Sequence, residues 1–70
     1  MKCAEFIRRA RRYSKRQDLE FCYDPRRGKG SHGRVLMGDR LTTIKSGNKV
    51  IGKGLLRKML KDLNIDPKDF

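Results

Sequence analysis

Two amphipathic segments bracket the middle of this 70-residue chain, and they constrain its fold more than any other feature. The first, residues 2–16, repeats apolar side chains at three- and four-residue spacing: Cys3, Phe6, Ile7, Ala10 and Tyr13 or Ser14. Such spacing predicts a helix, whose other face carries Arg8, Arg9, Arg11, Arg12, Lys15 and Arg16. A second helix is predicted from about Gly52 to Leu63, with Asn64 suited to end it. Its apolar stripe consists of Ile51, Leu55, Leu56, Met59, Leu60 and Leu63.

The residues between the helices predict three strands. Residues 19–23 alternate like a strand whose odd-numbered side chains share one side. Gly38-Asp39 is suited to a two-residue hairpin turn between residues 35–37 and 41–44. We therefore expect a single α+β domain over residues 1–70 in the order α-β-β-β-α. In this arrangement a three-stranded antiparallel sheet has both helices on one face, so that the apolar stripes are buried.

The hairpin turn also predicts which side chains face the core. With Gly38-Asp39 as the turn, the core face carries three apolar side chains: Val35, Met37 and Ile44. His32 then lies on the opposite, solvent-facing side, across from Lys45. Arg34 lies on the same side, across from Thr43. A shift of one residue in this pairing would exchange the two faces.

The charge of the chain indicates a polyanionic partner. Its 19 Lys and Arg exceed its 8 Asp and Glu, which gives a formal net charge of +11. In a compact fold these like charges repel one another, so a negatively charged partner would stabilise them. RNA, DNA and an anionic membrane would all suit, but no apolar run approaches the roughly 20 residues that span a bilayer. Because charges begin at Lys2, a signal peptide is not expected. We therefore expect a cytoplasmic protein without a membrane partner.

The cysteines are expected to be reduced thiols, buried or half-buried. Because Cys3 and Cys22 are far apart in the sequence and the chain has only one histidine, these residues do not form the ligand pattern of a zinc site. The chain also lacks a carboxylate cluster suited to Mg²⁺. We therefore expect neither a metal nor another cofactor.

The single histidine, His32, lies in a run of glycines and cations from Arg26 to Arg34. Histidine exchanges protons near neutral pH, cations hold phosphates, and glycines let a backbone approach them closely. The run lacks the spacing of a phosphate-binding P-loop. By residue type alone, a histidine in such a loop is more often a polar surface residue, but the run also suits proton transfer on a nucleic acid backbone.

Three segments together resemble the HicA toxin family of bacterial toxin–antitoxin systems. They are Gly30-Ser31-His32, the hairpin end Thr42-Thr43-Ile44, and Ile51 to Lys61, which reads IGKGLLRKMLK. The resemblance covers roughly residues 3–66. It implies a fold like that of a double-stranded-RNA-binding domain, and the activity of an mRNA interferase. Two features differ from many members: Gly33 stands where a second histidine often follows, and residues 24–29 lengthen the preceding stretch.

By this resemblance, His32 is the catalytic residue of a metal-independent endoribonuclease that cleaves mRNA. RNA supplies its own nucleophile, the 2′-hydroxyl, and His32 would act as general base or general acid. The group that moves the second proton stays open between water, a lysine, Tyr23 and a carboxylate. The candidate RNA-binding residues are Arg26, Arg27, Lys29, Gly30, Ser31, Arg34 and Lys45.

The resemblance also implies a partner. We expect a HicB-like antitoxin whose acidic surface covers His32 and the basic segment 26–34, and we expect the free toxin to be a monomer. Two other interpretations use the same excess of positive charge. One is a non-catalytic double-stranded-RNA-binding module, and the other is a basic DNA-binding or ribosome-associated protein.

Overall fold

The computed structural model describes residues 1–25, 32–45 and 50–70, and it confirms the α+β class and the α-β-β-β-α order. The helices are α1 (Cys3–Arg16) and α2 (Lys53–Asp62). The strands are β1 (Phe21–Asp24), β2 (His32–Met37) and β3 (Arg40–Lys45). Both helices lie within one residue of their predicted bounds at each end.

The sheet is antiparallel, with β2 between β1 and β3. The predicted hairpin register is confirmed, since His32 pairs with Lys45 and Met37 with Arg40. Gly38 begins the two-residue turn with a φ of 60°, which suits glycine because it has no Cβ to clash. Its amide also donates to the Glu20 carbonyl at 2.8 Å, which ties the turn to the start of β1.

One face of the sheet packs against the helices. Along β2 exposed and buried residues alternate strictly, with Gly33, Val35 and Met37 directed inward. They join a core whose other members come from both helices, β3 and the segments that flank α2: Cys3, Phe6, Ala10, Tyr13, Ile44, Ile51, Met59, Leu60, Leu63 and Ile65. The expected burial of Val35, Met37 and Ile44 on one face is therefore confirmed.

Two apolar residues lie outside this core, contrary to the sequence prediction. Leu19 is 42% exposed, and β1 begins only at Phe21. Since the Leu19 amide donates to the Ser14 carbonyl, Leu19 is part of the structure that ends α1 and not part of the strand. Leu55 is 41% exposed although it belongs to the predicted stripe of α2. At 3.6 residues per turn it lies about 140° around the helix from Leu60, and this places it at the edge of the stripe.

The two cysteines have different environments, and the prediction was wrong for one of them. Both are free thiols, and Cys3 is buried in the core. Cys22, however, is exposed. It pairs with Leu36, and because paired residues share a face, it lies on the side of the sheet that the helices leave uncovered.

Both helices end in the same way. Asp18 and Asn64 have φ values of 55° and 57°, the left-handed conformation that closes a helix. In α1 the Leu19 amide donates to the Ser14 carbonyl, and in α2 the Ile65 amide donates to the Leu60 carbonyl, each at 2.8 Å. These bonds give Schellman-type ends, and the predicted end of α2 at Asn64 is confirmed.

Candidate functional site

His32 is the first residue of β2 and is exposed. Its side chain lies on the uncovered side of the sheet, which we call the open face, because the next residue, Gly33, is directed into the core. Its backbone partner is Lys45, the last residue of β3. The sequence prediction for the position of His32 is therefore confirmed: it lies at the end of the hairpin away from the turn, on the solvent side.

The neighbouring row of the open face brings a cation and a carboxylate together. Arg34, which is exposed, pairs with Thr43 on β3 and with Asp24 on β1. Because residues two apart on a strand share a face, Asp24 lies diagonally across from His32, a separation of roughly 7–8 Å between the backbones. Sequence analysis placed Arg34 and Thr43 correctly, but it did not place Asp24, because the β1–β2 connection carries no turn signal of fixed length.

Tyr23, a candidate for the second proton, belongs to the other side of the sheet. It pairs with Val35, which is fully buried, and it packs half-buried against the core. Since paired residues share a face, the Tyr23 ring is directed away from His32. Among the two neighbours at the end of β1, the carboxylate of Asp24 is therefore the one that shares the open face with the imidazole.

Gly33 occupies a position that has no space for a side chain. A Cβ at this position would lie 2.8 Å from the Asp24 carbonyl oxygen and 2.8 Å from the Pro25 Cα. Both are backbone atoms, so they cannot move aside as the end of a flexible side chain could. Glycine at this position therefore has a steric cause, which is the close approach of the Asp24 and Pro25 backbone at the end of β1.

The third row of the open face is apolar. Cys22, Leu36 and Leu41 are paired across the three strands and all are exposed, Leu36 by 38% and Leu41 by 46%. The open face thus changes from basic and polar near His32 to apolar near the Gly38 turn. Sequence analysis did not anticipate this row, since Leu36 and Leu41 resemble core residues by type.

The helix layer carries a second basic surface. All six predicted cations of α1 are exposed, and they are Arg8, Arg9, Arg11, Arg12, Lys15 and Arg16. Within the described ranges only Glu5 forms ion pairs with them, to Arg8 at 3.7 Å and to Arg9 at 3.5 Å. Exposed pairs of this kind stabilise a fold by less than about 1 kcal/mol, so most of this charge is available to a partner.

Most of the predicted RNA-binding residues lie outside the part of the chain that the structure describes. Arg26, Arg27, Lys29, Gly30 and Ser31 belong to this group. Arg34 and the backbone of Lys45 are described, and they lie in the rows next to and opposite His32. The structure therefore brings together the histidine and two of the seven predicted binding positions.

Two further findings concern ligands and membranes. Across residues 1–25, 32–45 and 50–70, no three His, Cys, Asp or Glu side chains come together as a metal site. Neither α1 nor α2 has the length and apolar character that crossing a bilayer requires.

Comparisons with protein-family models, with curated proteins and with solved structures give no match to this chain.

Proposed function

We propose that this protein is a HicA-like toxin, a cytoplasmic endoribonuclease that cleaves mRNA without a metal and uses His32 as its catalytic residue. The observation that best supports the proposal is the placement of His32. Its imidazole is exposed on the open face, opposite Lys45 and next to the row of Arg34. A histidine with an arginine in the neighbouring row can contact a phosphodiester and exchange a proton with it.

The reaction needs two proton transfers. A base takes the proton of the RNA 2′-hydroxyl, the oxygen forms a bond to the adjacent phosphorus, and the bond from phosphorus to the 5′-oxygen breaks. An acid then gives a proton to the departing 5′-oxygen. His32 performs one of these transfers, which contributes roughly 10²–10⁴-fold to the rate. Arg34 binds the phosphate and stabilises the charge that grows on its oxygens.

Asp24 is the side chain that we propose for the second transfer. It shares the open face with His32, whereas Tyr23 packs toward the core. A carboxylate and an imidazole on one face can divide the roles of base and acid, as carboxylate and histidine pairs do in other general acid–base sites. This choice narrows the alternatives that the sequence left open.

The partner that we propose is an acidic antitoxin of the HicB type. The open face offers it Arg34 in the row next to His32, and an apolar row of Cys22, Leu36 and Leu41. Opposite charge would speed the encounter, and the apolar row would supply buried area for a stable complex. An antitoxin bound there covers His32 and so prevents access by RNA.

The decisive experiment compares RNA with DNA of the same sequence, each incubated with pure protein in EDTA. We expect cleavage of RNA alone, because only RNA carries the 2′-hydroxyl that attacks. Products should end in a cyclic phosphate, which mass spectrometry detects. Cleavage that appears only when a divalent cation is added would contradict the metal-independent mechanism.

The matched variant is His32→Ala, which we expect to abolish cleavage while the melting temperature and RNA affinity stay nearly unchanged. His32 is exposed at the start of a strand, so its removal opens no cavity. The control is Leu41→Ala, an exposed residue at the other end of the open face, which should cut at the parental rate. RNA decay on a gel, thermal melting and binding anisotropy give the three readouts.

An alternative is a non-catalytic double-stranded-RNA-binding module. It predicts that the parent binds RNA without cutting it and that His32→Ala behaves like Leu41→Ala. A variant that melts normally and still cuts RNA at the parental rate would remove His32 from the mechanism.

A further inference from the structure

A groove on the helix layer collects four cations away from His32. Its volume is about 360 Å³, and it is lined by Arg9, Arg12, Arg16, Lys68, Asp69 and Phe70. The three arginines come from one side of α1, at spacings of three and four residues, and the other residues come from the segment after α2. Sequence analysis assigned no role to this segment.

Specific contacts hold the wall of the groove in place. The Phe70 ring lies 5.2 Å from the ring of Phe6, a fully buried core residue. An Arg16 guanidinium nitrogen donates to the Asp69 carbonyl oxygen at 2.6 Å, and the Arg16 guanidinium lies 5.8 Å from the Tyr13 ring. The C-terminal segment is therefore packed on α1, and the arginines project beside a formed wall.

The charges of the groove suit a phosphodiester. Four cations and one carboxylate, that of Asp69, line the groove. Among the described residues, the only ion pair that a lining side chain forms is that of Arg9 with Glu5 at 3.5 Å. Guanidinium groups are planar and bind phosphate through two parallel hydrogen bonds. Arg9 and Arg16 are separated by seven residues, or about 10 Å along the helix, so they can hold two different phosphates of one strand.

The same observations disfavour a membrane surface as the ligand. A helix that lies on a membrane inserts a free apolar face among the lipids. The apolar face of α1 is buried in the core, with Phe6 and Ala10 fully covered. The one aromatic ring that lines the groove, Phe70, packs against Phe6.

We infer that this groove is a second binding site for the sugar–phosphate backbone of RNA, separate from the His32 site. The groove belongs to the helix layer, whereas His32 lies on the open face across the sheet. The inference rests on the proposed function only in naming RNA as the ligand. RNA held in the groove leaves His32 accessible, so the groove increases substrate affinity and takes no part in proton transfer.

The test measures binding of a fluorescein-labelled single-stranded RNA in the His32→Ala background, which prevents cleavage of the probe. The groove variant combines Arg9→Gln, Arg12→Gln and Arg16→Gln. Its matched control combines Arg8→Gln, Arg11→Gln and Lys15→Gln, which removes the same charge from α1 at residues that do not line the groove. Each phosphate contact contributes about −0.7 to the slope of log affinity against log salt for a single strand.

We expect the groove variant to reduce the magnitude of this slope by about 2, because three contacts are lost. Affinity at 150 mM salt should fall at least tenfold. The control should reduce the slope by less than half as much. Equal effects of the two triple variants would overturn the inference, since the charge of α1 would then act without a defined site.

A second variant covers the case in which the triple substitution unfolds the C-terminal segment. Asp69→Asn removes the carboxylate of the groove and leaves its arginines in place. It should bind RNA more tightly than the parent and melt at a similar temperature. Unchanged or weaker binding would contradict an anion site. The groove variant is also compared with the parent for binding to vesicles of anionic lipid. If the groove variant lost binding to the vesicles but kept the parental affinity for RNA, the assignment of the groove to RNA would be overturned.

The two proposals can fail separately. Normal cleavage by His32→Ala together with weakened binding by the groove variant would refute the catalytic role and keep the groove. Loss of cleavage in His32→Ala together with parental RNA affinity in the groove variant would refute the groove and keep the catalytic role of His32. In the cleaving protein, the groove variant should raise KM and leave kcat unchanged.

Discussion

His32 and Gly33 are adjacent in the chain but lie on opposite sides of the sheet, and they have different tasks. The imidazole is exposed on the open face. Gly33 lies beneath the end of β1, where even a methyl group would come within 2.8 Å of backbone atoms of Asp24 and Pro25. Asp24 lies in the row next to His32 because it pairs with Arg34, and the absence of a side chain at Gly33 lets the Asp24 and Pro25 backbone come this close. At the scale of single residues, this glycine therefore helps to assemble the candidate site.

We predict that Gly33→Ala destabilises the protein. Over-packing of a tight position costs about 1–3 kcal/mol, which for a domain of this size lowers the melting temperature by roughly 5–20 °C. The control is Gly54→Ala, because a Cβ at Gly54 meets no atom within 4 Å. Gly54 lies inside α2, so alanine there should stabilise the helix by up to about 1 kcal/mol. Thermal melting of both variants tests this, and an unchanged melting temperature for Gly33→Ala would contradict the crowding.

The ends of the elements set how the layers meet. Each helix closes in a left-handed residue that is not glycine, Asp18 in α1 and Asn64 in α2.

In β3, the Thr42 hydroxyl donates to an Asp62 carboxylate oxygen at 3.0 Å, which joins the sheet to the end of α2. Met1 and Ile51 form two hydrogen bonds: the Ile51 amide donates to the Met1 carbonyl at 2.6 Å, and the Met1 amino group donates to the Ile51 carbonyl at 3.4 Å. The segments that precede the two helices are thereby held together.

At this scale we predict that Asp18→Gly stabilises the protein by roughly 0.5–1 kcal/mol. Glycine adopts a φ of 55° without the Cβ clash that aspartate has. The substitution also removes a negative charge from the helix end where carbonyl oxygens already concentrate negative potential. Chemical denaturation gives the free energy of unfolding.

Gln17→Gly is the control for that measurement. Gln17 is the neighbouring C-cap residue, and its φ of −95° suits any side chain. Glycine there should give no gain, because it only increases the freedom of the unfolded chain. Equal stabilisation by both variants would show that the left-handed conformation of Asp18 carries no cost.

The whole molecule combines a covered sheet face with two basic surfaces. One is the open face around His32 and Arg34, and the other is the outer side of α1 with its six exposed cations. The exposed cations of the described residues thus lie on opposite sides of a two-layer fold. A polyanion that contacts both surfaces must pass around the edge of the sheet, which suits a flexible single strand better than a rigid duplex.

For the whole molecule we predict a steep fall of RNA affinity with salt. With about five phosphate contacts, affinity should drop roughly 100-fold between 50 and 200 mM salt. The comparison is a peptide nucleic acid of the same base sequence, whose uncharged backbone should bind weakly at every salt concentration. Anisotropy titrations supply both curves. An RNA affinity that hardly changes over this range would contradict an electrostatic interface.

The sequence by itself determined the elements whose signals are local. Helical spacing predicted α1 and α2, and the Gly38-Asp39 turn predicted the register that places His32 opposite Lys45. A two-residue turn leaves no freedom in the pairing, so the face of His32 followed from chemistry within a few residues.

Only the tertiary structure decided the features that depend on distant segments. Three features require the position of β1 beside β2: the pairing of Asp24 with Arg34, the exposure of Cys22, and the close approach of the Asp24 and Pro25 backbone to Gly33. No short turn specifies that position. The groove likewise needs the segment after α2 to return to α1 and pack Phe70 against Phe6. Such contacts form between residues far apart in the chain, and periodicity and turn chemistry contain no information about them.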